Sequence, residues 1–203
     1  SIGAVEFSSL NRAAQAYRLQ ALLIAGLICA FAPGNPVLYV WAGVAVITKA
    51  ILTPHFIFRY ISKAQDEEVP ALLGFGPSVV IASVILFAFY RLTHTYVHLL
   101  APTPEAAAGV FRTNLAISLT VFMLGIYAIL SRRDAIKTVI GLCLLENAVH
   151  LSLVSLAPGM RETALIGIAT EVVVTVYLLL YVISGIREKF GTTDTFELAE
   201  LHW

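Results

Sequence analysis

The stretch that determines the fold class is residues 135–157, which read AIKTVIGLCLLENAVHLSLVSLA. A helix that crosses the hydrocarbon core of a bilayer, about 30 Å thick, needs about 20 mostly apolar residues at about 1.5 Å each. This stretch is long enough and apolar enough, although it carries Glu146, Asn147 and His150. The sequence therefore predicts a transmembrane helix here, with Glu146, Asn147 and His150 in its middle part.

Five further apolar windows of similar length flank this stretch, at residues 12–32, 36–60, 70–90, 107–130 and 163–186. Turn-forming or charged residues separate them, in the stretches 33–36, 66–70, 102–104, 131–134 and 158–159. The only long connection, residues 91–106, is predicted to form an interfacial helical turn at the level of the lipid headgroups. The prediction is an all-α, polytopic transmembrane bundle of six spans, forming one domain over residues 1–203.

Composition supports this class and excludes others. The 203 residues are 59% hydrophobic and 13% charged, whereas soluble domains contain about 25% charged residues. The formal net charge is zero, so no nucleic-acid partner is expected. Cys29 and Cys143 lie inside apolar windows, which argues against a disulfide framework or a paired-cysteine metal site. The chain begins at Ser1 without an initiator methionine, so we expect a segment upstream of it; the family resemblance described below implies that this segment is a seventh helix.

Orientation is predicted from the basic residues, because cytoplasmic loops carry an excess of Lys and Arg. Three bases fall on one side of the bundle, Arg91, Arg112 and Arg161. The other side receives nine: Arg12, Arg18, Arg59, Lys63, Arg132, Arg133, Lys137, Arg187 and Lys189. We therefore expect both ends of the chain, including the tail 191–203, to be cytoplasmic.

Three charged residues lie near the middle of the spans, Lys49, Glu146 and Glu171. Each such group costs at least about 2.5 to 3.5 kcal/mol in a membrane, so it usually faces a partner charge, a cavity or the bundle interior. Counting from the helix ends predicted to be cytoplasmic places Lys49 and Glu146 at one depth, about 16 Å. Glu171 and His150 fall at a second depth, about 22 Å. These residues are the predicted proton or ion pathway.

Two interpretations of this group remain open. Glu146 and His150 are four residues apart on one helix face, with Asn147 beside them, which suits a proton relay. Lys49 and Glu146 are also compatible with a structural ion pair that transports nothing. His55 is a weaker candidate; it follows Pro54, whose missing N–H interrupts the helix near Lys49.

No catalytic or metal-binding residue is predicted. The P-loop, GxGxxG, HExxH and GxSxG patterns are absent from the sequence. The histidines fall at different depths, whereas a bis-histidine haem needs two at the same depth on facing helices.

The tail contains one local sequence pattern that predicts a short helix. Asp194 followed by Glu197 resembles a capping box that opens a short helix through Phe196, Leu198 and Leu201. We expect this apolar stripe to dock on a partner subunit or at the lipid interface.

The stretch SRRDAIKTVIGLCLLENAVH, residues 131–150, resembles the middle helix of the K-type subunit of respiratory complex I and of the C subunit of multisubunit sodium/proton antiporters. Residues 131–190 as a whole resemble the K-type subunit. The chain is also similar, over most of its length, to the hydrogenase-4 component E family. That similarity rests on Ile47-Thr-Lys49 leading to Pro54, on GLCLLEN to His150, on Gly167-Ile-Ala-Thr-Glu171 and on Gly191-Thr-Thr-Asp194.

The resemblance implies a non-redox membrane subunit of an energy-converting, membrane-bound hydrogenase or complex I-like assembly in a prokaryotic cell membrane. Its implied partners are the lipid bilayer and antiporter-like and other membrane subunits. It implies no cofactor in this chain, with iron–sulfur clusters and a nickel–iron centre in partner subunits. The alternatives are a C-type subunit of a cation/proton antiporter and a structural membrane spacer.

Overall fold

The structure is a computed structural model that describes residues 2–7, 9–64, 74–100, 103–104, 107, 109–156 and 162–199. Within these ranges the chain is helical and contains no strand, which confirms the all-α class. The α-helices in chain order are α1 (Ile2–Glu6), α2 (Leu10–Phe31), α3 (Val37–Ala45), α4 (Thr53–Ala64), α5 (Phe75–Thr95), α6 (Val97–Leu100), α7 (Gly109–Ser131), α8 (Ala135–Leu156), α9 (Glu162–Phe190) and α10 (Thr195–Ala199).

Among the described residues, six helical stretches are long and apolar enough to cross a membrane, which agrees with the predicted number of spans. They are Leu10–Phe31, Val37–Lys63, Phe75–Thr95, Gly109–Ser131, Ala135–Leu156 and Ile166–Phe190. The predicted turns at 66–70 and 158–159, together with Pro102 and Arg161, lie outside the described residues.

The connection between the third and fourth spans differs from the prediction. Helix α5 continues through Arg91 to Thr95, and only the short α6 follows it, so the segment predicted as an interfacial turn begins inside a span. Side chains near a helix end can reach the headgroups, so Arg91 does not have to end the helix. Arg112, at the start of α7, donates its Nε–H to the carbonyl of His94 over 2.8 Å and ties the two spans together.

The second span is not a regular α-helix. Between α3 and α4, residues Val46–Leu52 form a π-helical stretch in which the N–H of Thr53 bonds to the carbonyl of Thr48. Pro54 has no N–H to donate to Ala50, so the regular bonding pattern cannot pass through this point. The interruption predicted from Pro54 therefore takes the form of a π-helix, and Lys49 lies within it.

Helices α7 and α8 approach each other closely at two glycines. A Cβ added to Gly125 would lie 2.8 Å from Leu145 Cδ2 and 3.0 Å from the Leu145 backbone nitrogen. A Cβ added to Gly141 would lie 2.8 Å from Ile129 Cγ1. Small residues at helix interfaces allow this close backbone approach, which stabilises helix pairs in membranes. The contact fixes α8, the helix that carries Glu146 and His150.

We expect Gly125→Ala to destabilise the protein by about 1 to 3 kcal/mol, because the new methyl group must push the α8 backbone away. The measurement is the temperature at which the detergent-solubilised assembly loses its native elution profile. Gly26→Ala is the matched control, because a Cβ there meets nothing within 4 Å. Equal melting temperatures for the two variants would contradict the proposed packing.

The tail docks on its own chain. An isolated β-bridge joins Asp194 to Asp134, and Arg133 forms an ion pair with Asp194 at 3.1 Å. Asp194 also accepts the N–H of Phe196 and so caps α10, although its own N–H bonds to Thr192. Only half of the predicted capping box therefore forms. Leu201, the last residue of the predicted stripe, lies outside the described residues.

Asp134 organises the other side of this contact. Its carboxylate accepts the N–H groups of Ile136 and Lys137, which caps α8, and the hydroxyl of Thr193 in the tail. Burial raises the pKa of Asp134 despite these three donors. The tail and the start of α8 are thus held by one buried carboxyl group.

Candidate functional site

The site is centred on a buried ion pair between the second and fifth spans. Lys49 Nζ lies 3.1 Å from Glu146 Oε1, and their side chains are 2% and 22% exposed. The depth argument places these two residues in one layer, and the structure brings them into direct contact. The π-helical stretch presents Lys49 to α8.

His150 completes the centre of the site. It lies one turn after Glu146 on α8, and its Nε2 is 3.6 Å from the same Oε1 atom. This distance exceeds that of a hydrogen bond, so a small side-chain movement or a water molecule would be needed to join them. The indole of Trp41 packs edge-on against the imidazole, with ring centroids 5.7 Å apart and planes at 80°.

The helices that meet at the pair carry further buried polar side chains besides the predicted Asn147. Tyr17, Gln20 and Thr53 are buried, as is Asn147, and the side-chain polar atoms of these four residues make no hydrogen bond that meets normal geometry within the described part of the chain. Tyr17 lies beside Cys143 and Thr53 and interacts electrostatically with Glu146. Buried polar groups are normally hydrogen-bonded, so this cluster is suited to hold water molecules.

The sequence contains a pattern that indicates Tyr17 and Gln20 as buried polar residues, although they are not among the predicted site residues. They lie three residues apart on the buried face of α2, which otherwise carries small or aliphatic residues such as Ala13 and Ala21. Two polar side chains on a face of that kind point into the bundle rather than to lipid.

Two groups of buried apolar side chains adjoin the polar cluster. The larger includes Leu10, Ile57, Val139 and Ile140, and it contains Tyr17 and Cys143 as well. The smaller is formed by Ile24, Ile28, Ala32, Leu38, Trp41, Ala42 and Val154. Glu146, unlike Lys49 and His150, is partly exposed.

Glu171 has a different setting from the other predicted site residues. It lies on an exposed face of α9, yet it is close enough to Glu146 to interact with it electrostatically. The structure thus brings Lys49, Glu146 and His150 into one cluster and leaves Glu171 at its outer side.

His55 lies outside the cluster. It is exposed on α4, where its ring contacts that of Phe56 at 6.0 Å. Among the described residues, no three His, Cys, Asp or Glu side chains are grouped so that they could hold a metal ion.

The arrangement is suited to proton exchange. A carboxylate shared between an ammonium and an imidazole has two neighbours that can donate or accept a proton. The pair also has a structural cost, because desolvating two charges offsets much of their attraction. A buried ion pair of this kind is therefore weak evidence that the two residues serve only to stabilise the fold.

The family model described as NADH-ubiquinone/plastoquinone oxidoreductase chain 4L matches residues 113–203. This match includes α7, α8 and α9 and hence Glu146, His150 and Glu171. Lys49 lies before it, so one partner of the ion pair comes from outside the matched segment. No solved structure matches the chain significantly.

The relatives match over most of the chain. Hydrogenase-4 component E of Escherichia coli (strain K12) is 32% identical over 189 residues, which are 91% of this chain and 84% of that protein. The proteins of the same name from Escherichia coli O157:H7 and Shigella flexneri match to the same extent. The chain is a transmembrane member of the hydrogenase-4 component E family.

Proposed function

We propose that this chain carries part of the proton path of a membrane-bound hydrogenase or complex I-like assembly. The observation that carries the proposal is the buried Lys49–Glu146 pair at 3.1 Å, with His150 at 3.6 Å from the same carboxylate oxygen. Glu146 is the central proton carrier, and Lys49 controls its charge. His150 and Asn147 connect Glu146 to the second depth, at which Glu171 lies.

The proposed path runs sideways through the chain. Glu146 is 22% exposed and interacts electrostatically with Glu171 on the exposed face of α9. Protons would pass between these two carboxylates, toward the outer face of α9, rather than cross this chain from one surface to the other.

Glu171 would be covered by a partner subunit. A carboxylate facing lipid in the middle of a span costs at least about 2.5 to 3.5 kcal/mol, and contact with a polar or cationic side chain of a neighbouring subunit removes that cost. We propose an antiporter-like membrane subunit as this neighbour. Crosslinking from a cysteine introduced at Thr175, which is also exposed on α9, tests the contact, and capture of lipid only would contradict it.

We propose that this chain holds no redox cofactor and that iron–sulfur clusters and the nickel–iron centre belong to partner subunits. The separately purified chain should then contain neither iron nor nickel in stoichiometric amount. Stoichiometric iron in that preparation would contradict this part of the proposal.

We propose that the chain lies in a prokaryotic cell membrane with both ends in the cytoplasm, on the basis of nine bases against three. A cysteine at position 161 should react with an impermeant thiol reagent added outside intact cells. A cysteine in place of Lys189, which is exposed in the last turn of α9, should react only after the cells are opened. The reverse pattern would contradict this orientation.

The function itself is tested by Glu146→Gln in the intact assembly. The amide keeps the shape of the side chain but cannot carry the proton, so electron transfer should continue while the number of protons moved per electron falls. The ratio is measured in sealed vesicles, with Glu188→Gln, an exposed carboxylate near the end of α9, as the matched control. A structural spacer predicts equal ratios in wild type and both variants.

A further inference from the structure

A second site lies between α4 and α9, near the end of the bundle at which these helices finish. It is a cleft of about 150 Å³, and it lies away from the Lys49–Glu146 pair. Arg59, Lys63, Tyr60, Tyr181 and Ser184 line its polar part.

The polar part of this cleft carries positive charge. Arg59 and Lys63 are four residues apart and therefore lie on one face of α4. Both are exposed, and within the described part of the chain neither is in an ion pair with a carboxylate, nor does a carboxylate line the cleft. Arg187 and Asp134 both interact electrostatically with Tyr60, so near the cleft they add one group of each charge type, and the positive character of the mouth comes from Arg59 and Lys63.

The inner part of the cleft is apolar and aromatic. Phe56 and Tyr177 meet edge to face, with ring centroids 5.5 Å apart, and the buried Leu180 completes this surface. The cleft therefore combines a cationic mouth with an apolar floor.

The position of the cleft along the membrane normal matches this division. The two spans that form it end at Lys63 and Phe190. Arg59 and Lys63 lie in the last turns of their span, and Ser184 lies about 9 Å before the end of its own. The cationic mouth is thus at headgroup depth, and the floor extends toward the acyl chains.

We propose that this cleft binds one anionic phospholipid. Arg59 and Lys63 hold the phosphate, the hydroxyl groups of Tyr181 and Ser184 donate to its oxygens, and the first carbons of an acyl chain lie along Phe56, Tyr177 and Leu180. A free phosphate ion would satisfy the cations but would leave the apolar floor unused. The proposal does not depend on the proton path.

The test uses the intact assembly in nanodiscs of phosphatidylcholine with increasing amounts of phosphatidylglycerol, and native mass spectrometry counts the lipids that stay bound. Each cation near a membrane surface is worth about a fivefold change in affinity for an anionic lipid. We therefore expect one phosphatidylglycerol per chain in the wild type and about 25-fold weaker retention in Arg59→Gln/Lys63→Gln. Arg12→Gln, an exposed cation in the first turn of α2, is the matched control and should retain the lipid.

Two further experiments identify the source of the phosphate and control for misfolding of the variants. Inorganic phosphate added in excess should not displace the lipid, whereas displacement would assign the site to free phosphate. The variant Arg59→Lys/Lys63→Arg keeps both charges and should retain the lipid. If the double Gln variant does not assemble, the single variants must each weaken retention about fivefold. Equal retention in wild type and Gln variants, or no preference over phosphatidylcholine, would overturn the proposal.

Discussion

Lys49→Met should abolish most of the coupled proton movement or prevent assembly, and adding Glu146→Gln should restore part of what is lost. Removing one member of a buried pair leaves the other charge without its partner, which costs about 3 to 5 kcal/mol. Removing both charges relieves that cost, although it does not restore a proton carrier. We therefore expect recovery of assembly in the double variant but not of full coupling.

The measurement is the yield of intact assembly, followed by proton movement and electron transfer in the assemblies that form. Lys189→Met is the matched control, because Lys189 is exposed in the last turn of α9 and should tolerate the change. A double variant that assembles no better than Lys49→Met would argue that the 3.1 Å contact contributes no coupling between the two residues.

Glu171→Gln should leave assembly and electron transfer nearly intact and should lower the number of protons moved per electron. Glu171 lies on an exposed face of α9, so its replacement disturbs no packing inside this chain. Glu171→Asp keeps a group that can carry a proton, although a shorter one, and should preserve part of the coupling.

The proton-to-electron ratio in sealed vesicles measures this effect, and Thr175→Val serves as a control on the same exposed side of α9. An unchanged ratio in Glu171→Gln would limit Glu171 to a contact between subunits. It would not contradict the proposed role of the Lys49–Glu146 pair, because variants of those two residues test that role separately.

The sequence was sufficient to predict the spans and the central pair, for a physical reason. A bilayer sets the length of each helix, so counting residues from helix ends gives a depth for every buried charge. Lys49 and Glu146 had equal depths by this count, and they are in contact in the structure. The count gives depth only, however, and does not say which way a side chain points around its helix.

Because the residue count does not specify the orientation of a side chain around its helix, two features of the site were not predicted. Glu171 has a depth close to that of the pair, but it faces outward, because the rotation of α9 is set by packing against α3, α4 and α8. Tyr17 and Gln20 were overlooked, since neither is formally charged and only their position on the buried face of α2 reveals them.

The docking of the tail is another feature that the sequence does not predict. Asp194 was predicted correctly as a cap for a short helix, because that signal is local. Its docking on Arg133 and Asp134 depends on two segments about 60 residues apart in the chain, and no local pattern specifies such a contact. Docking of the apolar stripe on a partner subunit or at the lipid interface stays a prediction, and Phe196 in that stripe is exposed.

The most direct test of the proton path is infrared difference spectroscopy of the assembly during turnover, because a carboxyl group that takes up a proton gains a carbonyl stretching band. The account predicts a band that appears and disappears with turnover in the wild type and is lost in Glu146→Gln, while Glu188→Gln retains it. A spectrum that is the same in wild type and Glu146→Gln would show that Glu146 keeps one protonation state throughout, and would contradict the account.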